Sequence, residues 1–285
     1  MATRVEIAPS VWMPLLTMNA YPNTSSWIAA GGRAVDSALD YGDARQQEIG
    51  RAISSSGVPR SELFVTTKVP CCPKGPFGAS GWPFLPVANC SKVRNTTADV
   101  EYDLQTIGVQ YVDLMLLHFT CDRFEDTLGA WRALEAAALS GQARAIGVSN
   151  FNRTDIDLLM AAARIPPAVN QAGFAIGSPL NATLGRDWGT IQRCRELGIT
   201  YEAYAPFGER DATAPTSRVD VLNDPTVKRV AARNNVTTAL VGLRWILQHG
   251  MAVVTSGANP EYQREDLQVF DFALSSADMA MLDGV

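Results

Sequence analysis

The sequence predicts an α/β fold, a single (β/α)8 barrel spanning residues 1–285. Three observations point to it. Eight short, apolar, β-branched runs recur along the chain, helical patterns separate most of them, and chemically useful polar residues close several of the runs. Short apolar runs of this kind read as strands of a buried parallel sheet, and alternation of strand and helix eight times is the barrel signature. A doubly wound sheet is the runner-up. It would want a Gly-x-Gly-x-x-Gly turn after its first strand, and none is present.

Taken in order, the first run is Leu15–Asn19, followed by an unusually short helix between Asn23 and Gly31. After the second run, Arg33–Ser37, Asp43 is placed to cap a helix over Ala44–Ser56 that stops at Gly57. The third run, Leu63–Lys68, leads into Pro70–Ser91, a stretch rich in Pro, Gly and aromatics without any period. A structureless loop of that length is usually functional or disordered, and Phe77, Trp82 and Phe84 favour a substrate-binding loop at the barrel mouth. A helix over Thr97–Ile107 ends at Gly108, before the fourth run, Val112–His118. Glu125–Ser140 carries Leu128, Trp131, Leu134 and Leu139 on one stripe and ends at Gly141. The fifth run is Ala143–Ser149. Asn152 caps Arg153–Arg164, which Pro166-Pro167 ends, and the sixth run, Ala168–Gly173, follows. Arg186–Leu197 stops at Gly198, ahead of the seventh run, Ile199–Ala205. Polar residues 208–223 read as a flap over the mouth, and Ala252–Ser256 is the eighth run. The chain shows no internal repeat and no domain linker.

Composition narrows the function classes. Apolar residues make up 47% of the chain and charged ones 19%, the balance of an ordinary globular protein. A net charge of −5 offers no basic face to nucleic acid or anionic lipid. The N-terminal segment has no apolar core of the signal-peptide kind, so a cytoplasmic protein with no membrane partner is expected. The five cysteines are odd in number and scattered, which argues for a reducing compartment and against a disulfide framework. No His/Cys cluster has zinc spacing, so no metal is expected.

The chemistry-bearing residues stand where strands should end. Asp36 and Tyr41 lie in DSALDYG, Lys68 closes LFVTTK, and His118, one of only two histidines, closes VDLMLLH. Singly, each would more often belong to a rim, a turn or a satisfied core. Jointly they gather at the face where barrels keep their active sites. A cation within about 4–6 Å lowers a tyrosine pKa, and Asp36 can hold Lys68 charged. His118 can fix the direction of a carbonyl oxygen. The set suits protonating an alkoxide as it forms. It contains no nucleophile and no metal, so the second reactant must come from elsewhere, and a hydride from a nicotinamide fits. His249, at a helix end, has no assigned function.

The strings MPLL, DSALDYG, RSELFVTTK, GVQYVDLMLLH, GQARAIGVSNF, VNQ, YEAYAPFG, LRWILQHGMAVV and DMAMLDG run through nearly the whole chain. Together they resemble the aldo-keto reductases. The resemblance implies a barrel that reduces an aldehyde or ketone with NADP(H), less often NAD(H). Tyr41 would be its general acid, Lys68 and Asp36 would tune the tyrosine, and His118 would orient the substrate. Ser149, Asn150 and Gln171 would hold the nicotinamide carboxamide, and Tyr204 would stack on the ring. Backbone around Ala205–Phe207 and the segment at Ser256 would hold the phosphates, with Arg264 and Asp266 completing the cofactor set. Phe119 joins Phe77, Trp82 and Phe84 as an expected substrate contact. A monomer is the family default, and a nicotinamide-binding regulatory subunit is the alternative from another class.

The sequence also departs from the family pattern. TMNA (Thr17–Ala20) replaces the usual Gly-rich turn after the first strand, VNQ continues as AGF, and the loop after Lys68 is enlarged. The Lys-Ser/Thr pair and Arg that usually clamp the 2′-phosphate are replaced in TSGANPEYQRED, where Arg264 is the only cation. Weak discrimination between NADP(H) and NAD(H), and a bulky or specialised substrate, are the expectations that follow.

Overall fold

The computed structural model describes residues 3–19, 23–71, 95–178, 182–208 and 217–285. Eight parallel strands close into a barrel: β3 (Leu16–Asn19), β4 (Ala34–Asp36), β5 (Phe64–Val69), β6 (Val112–Leu117), β7 (Ala143–Ser149), β8 (Val169–Gly173), β9 (Thr200–Tyr204) and β10 (Ala252–Thr255). β10 pairs with both β9 and β3, so no sheet edge is left open. The predicted strands agree with these to within two residues, and the (β/α)8 class holds.

Two further strands precede the barrel. β1 (Arg4–Ala8) and β2 (Val11–Pro14) form an antiparallel hairpin. Val11 and Met13 of the hairpin join Ala34, Phe64, Ala145, Val169 and Ala252, all at or near strand starts, in one apolar cluster. The hairpin therefore caps the N-terminal end of the barrel. Sequence analysis missed it, because an exposed two-stranded ribbon needs only alternate apolar residues.

The helices are α1 (Thr24–Ala29), α2 (Asp43–Ser55), α3 (Thr96–Ile107), α4 (Phe124–Leu139), α5 (Arg153–Ala162), α6 (Trp188–Glu196), α7 (Pro225–Asn234), α8 (Thr238–Gln248), α9 (Pro260–Asp266) and α10 (Ser276–Asp283). Their inner faces and the outer faces of the strands share a continuous core that includes the fully buried Trp27, Trp131 and Trp245. A side chain at Gly50 would meet the Ile107 carbonyl oxygen at 1.8 Å, so only glycine lets α2 and α3 approach this closely. Asn152 and Asp155 cap α5 reciprocally, as a capping box.

Three expectations change. Asp43 does not cap α2: it is the first helical residue, and its Oδ2 accepts from the Tyr102 hydroxyl at 2.8 Å. α6 begins at Trp188 behind the N-cap Asp187, so Arg186 precedes the helix. Cys71 and Cys121 form a disulfide with Cα atoms 5.2 Å apart, against the expectation of free thiols. They are separated by 50 residues in sequence, but β5 and β6 are neighbours with Val69 opposite Leu117, which brings the two exits together. The aromatic loop residues Phe77, Trp82 and Phe84 lie outside the described residues, as does half of the expected flap, residues 209–216.

Candidate active site

Strand register decides which side chains meet at the C-terminal mouth. Asp36 ends β4 opposite Thr66 of β5, and Lys68 lies two residues further along β5. A short helical turn, Leu39–Tyr41, carries Tyr41 back over them. That turn is held from behind by Gln46 of α2. Its side chain accepts from Ser37 Oγ, and its Nε2 donates to Thr67 Oγ1 and to Asp103 of α3.

The four expected catalytic side chains converge. Lys68 Nζ donates to Asp36 Oδ1 at 2.5 Å and to the Ser37 carbonyl at 2.9 Å, with both charged side chains almost fully buried. The ammonium lies 5.3 Å from the centroid of the Tyr41 ring. His118 meets the edge of that ring, centroids 5.8 Å apart, and stacks on Phe119 at 4.6 Å.

Electrostatics follow from burial. Burial pulls the Lys68 ammonium down, but Asp36 and Tyr41 together outweigh it, and the lysine is raised above its ordinary range. Lysine is thereby kept charged. For Tyr41 the outcome differs from expectation. Burial raises the phenol more than Lys68 lowers it, and Asp36 and Asp40 add to the rise. The tyrosine is therefore held as the protonated phenol, because desolvating a phenolate costs more than one nearby cation returns.

The opposite wall lines the cavity with neutral, amide-bearing side chains, backed by the ionisable Glu202 and Arg186. Gln171 Nε2 donates to Asp36 Oδ2 and to Glu202 Oε2, each at 2.8 Å, tying the two walls together. Burial, with help from the Asp36 carboxylate, pushes Glu202 up to about 7. Asn150 sits at a left-handed backbone position (φ 61°); its Nδ2 donates to the His118 carbonyl, and its Oδ1 accepts from the Tyr204 hydroxyl at 2.8 Å. The buried guanidinium of Arg186 also donates to that hydroxyl and lies 5.3 Å from the ring centroid.

These groups enclose a cavity of about 250 Å³, lined among others by Asp36, Tyr41, His118, Phe119, Asn150, Gln171, Tyr204, Ala205 and Ser256. Sequence reasoning missed Asn19, Arg45, Val254 and Thr255, which also line it, along with the polar residues Asp40 and Glu202 behind. Only their neighbourhood to the strand ends could have flagged them. Other expected residues stand elsewhere. Ser149 is fully buried behind the wall, its hydroxyl donating to the Gln171 carbonyl at 2.8 Å. Phe207 packs beside Gly242 of α8. Asp266 is buried and accepts from Thr255 Oγ1 at 2.8 Å, and Arg264 is exposed on α9. Gln263, where the family pattern has a cation nearby, accepts from Ser26 and donates to the Gly257 carbonyl, tying α9 to α1.

The donor set suits a nicotinamide nucleotide. Asn150 and Gln171 present amides of the kind that recognise a carboxamide, Tyr204 offers a ring beside them, and Ser256 provides an exposed hydroxyl at the rim. Among the described residues no group of His, Cys, Asp and Glu is arranged to hold a metal ion. No helix there is long and apolar enough to cross a membrane.

Comparison with known proteins agrees with this geometry. A family model described as "Aldo/keto reductase family" matches residues 20–285. Morphine 6-dehydrogenase of Pseudomonas putida is 34% identical over 91% of this chain and 80% of its own length. Glyoxal reductase of Bacillus subtilis is 32% identical over 90% of the chain and 80% of its own. A solved aldo-keto reductase from a deep-sea metagenome library superposes with a TM-score of 0.78 at 28% identity, covering 96% of this chain and 91% of that one. With fold and sequence in agreement over nearly its full length, the chain belongs to the aldo/keto reductase family and is an NAD(P)H-dependent oxidoreductase of carbonyl compounds.

Proposed function

We propose that Tyr41 is the general acid of this carbonyl reduction and that NADP(H) is the preferred cofactor, with NAD(H) also used. The observation that carries the reading is the buried Lys68–Asp36 pair at 2.5 Å beside Tyr41, with Asp36, Tyr41 and His118 lining one cavity. When bound, a nicotinamide supplies the hydride. Asn150 and Gln171 would hold its carboxamide and Tyr204 would face its ring. Ala205 and Ser256 would contact the phosphates.

The protein's own groups then manage one proton. As negative charge grows on the carbonyl oxygen, the protonated phenol of Tyr41 delivers its proton. Lys68, held charged by Asp36, stabilises the phenolate left behind. The same cation that burial outweighs for the phenol acts at the moment of transfer, when the phenolate exists. Burial strengthens both effects, since water no longer screens them. His118 and Phe119 border the oxygen's position and set which face is presented.

The substrate is proposed to be bulky, with Phe119 and the aromatic loop that carries Phe77, Trp82 and Phe84 as apolar contacts. Two relatives are named for different substrates, morphine and glyoxal, so family membership does not set substrate size. The test is loss of NADPH or NADH absorbance with a panel of aldehydes and ketones of graded size, for the wild type and Tyr41→Phe. Turnover in Tyr41→Phe close to wild type would overturn the assignment of the acid.

A further inference from the structure

The four-residue site leaves one buried carboxylate without a role. Asp40 precedes Tyr41 in the helical turn Leu39–Tyr41 and is 3% exposed. Its Oδ1 lies 2.9 Å from Nδ1 of His118. Asp36, the other acid of this wall, is engaged by Lys68 and Gln171. Each acid thus has its own partner: Asp36 has Lys68, and Asp40 has His118.

An ionised carboxylate only accepts hydrogen bonds, so a proton must lie between Asp40 and Nδ1. That leaves Nε2 as the ring nitrogen available to the cavity, which His118 lines. Tyr41 meets His118 edge-on, Arg45 of α2 lies 5.8 Å over the Tyr41 ring, and Lys68 of β5 is engaged by Asp36, so Asp40 is the carboxylate that meets the imidazole.

We propose that Asp40 is a positioning residue. It fixes the His118 ring through Nδ1, so that Nε2 is directed to the substrate carbonyl oxygen. The inference rests on the carbonyl-reduction reading of the site, and the Asp40–His118 geometry can be tested apart from it.

The chain has only two histidines, which makes the test direct. His249 meets Asp283 through Nε2, at 2.9 Å, whereas His118 meets Asp40 through Nδ1. Side-chain ¹⁵N NMR of the wild-type protein, with His249→Gln to assign the signals, reads both nitrogens. A proton on Nδ1 of His118, no longer fixed there in Asp40→Ala, is the expected result. A neutral His118 carrying its proton on Nε2 and a bare Nδ1 overturns the proposal. In kinetics, Asp40→Ala should lower kcat for carbonyl reduction by about 10- to 100-fold, the scale of a charge-assisted hydrogen bond. NADPH affinity should stay within about twofold, and Asp40→Glu should recover most of kcat. A fall in kcat matched by an equal loss of NADPH affinity, or unrelieved by Asp40→Glu, would mean a merely structural role and would also overturn it. Absence of turnover with every carbonyl tried would overturn the catalytic reading while leaving the NMR result to stand or fall alone.

Discussion

The two walls of the mouth are made of opposite materials. On the β4–β6 side, Asp36, Asp40, Lys68 and His118 are charged or ionisable, buried, and matched in pairs at 2.5–2.9 Å. On the β7–β10 side, Asn150, Gln171, Tyr204 and Ser256 are neutral donors and acceptors, and Tyr204 and Ser256 are partly or largely open to the cavity. Charges kept out of water act strongly on a developing charge but tolerate no missing partner. Neutral amides bind less strongly, adapt more easily and cost little when unfilled. The first wall is suited to chemistry and the second to holding a cofactor that comes and goes.

Substitutions on the two walls should therefore separate kcat from cofactor affinity. The largest effect is expected for Tyr41→Phe. Losing a positioned acid should cut carbonyl reduction by about 10²–10⁴-fold while leaving NADPH binding, read by tryptophan fluorescence, nearly intact. A matching loss of affinity would merge the two walls into one binding site.

Lys68→Met comes next and should damage stability as well as rate. It strands the Asp36 carboxylate, and breaking a buried pair from one side costs about 3–5 kcal/mol. Denaturant titration should show that loss, and Asp36→Asn in the same chain should recover part of it. A single variant no less stable than wild type would show that the pair is solvated in solution.

Asp103 sharpens the comparison through pH. Burial raises it to about 7, despite hydrogen bonds from Thr67 and Gln46. A carboxyl raised on folding binds its proton more tightly in the native state. Its contribution is therefore fully present below the unfolded value and is lost as pH rises through about 7. Stability should fall between roughly pH 4 and 7, and Asp103→Asn should flatten that decline. An unchanged slope would remove Asp103 from the support behind Tyr41.

The neutral wall should respond more mildly. Asn150→Ala is expected to weaken NADPH binding by about tenfold, the scale of one or two hydrogen bonds, with kcat changed less. Smallest of all is Arg264→Ala, measured as the ratio of kcat/KM for NADPH and NADH. One exposed cation should account for no more than about tenfold in that ratio. An unchanged ratio would take Arg264 out of cofactor recognition, and a wild-type preference for NADPH far above a hundredfold would point to another cation.

Much of this was legible before the structure. The β-branched runs fix strand positions because a buried parallel strand tolerates little else, and glycines at 108, 141 and 198 mark helix ends where the backbone turns left-handed. Asp36, Tyr41, Lys68 and His118 were recognisable from their places at strand ends, since a barrel delivers every such end to one mouth. The sequence by itself thus determined the barrel and which polar groups it brings to one mouth. Pairing was decided only by tertiary structure. That Asp40 meets His118, Gln171 joins Asp36 to Glu202, and Cys71 meets Cys121 depends on contacts between residues 31 to 78 positions apart, or 135 for Gln171 and Asp36. No local pattern encodes such contacts. The sign of the Tyr41 shift was hidden for the same reason: a neighbouring lysine can be guessed from sequence, but the burial that outweighs it exists only once the barrel has closed.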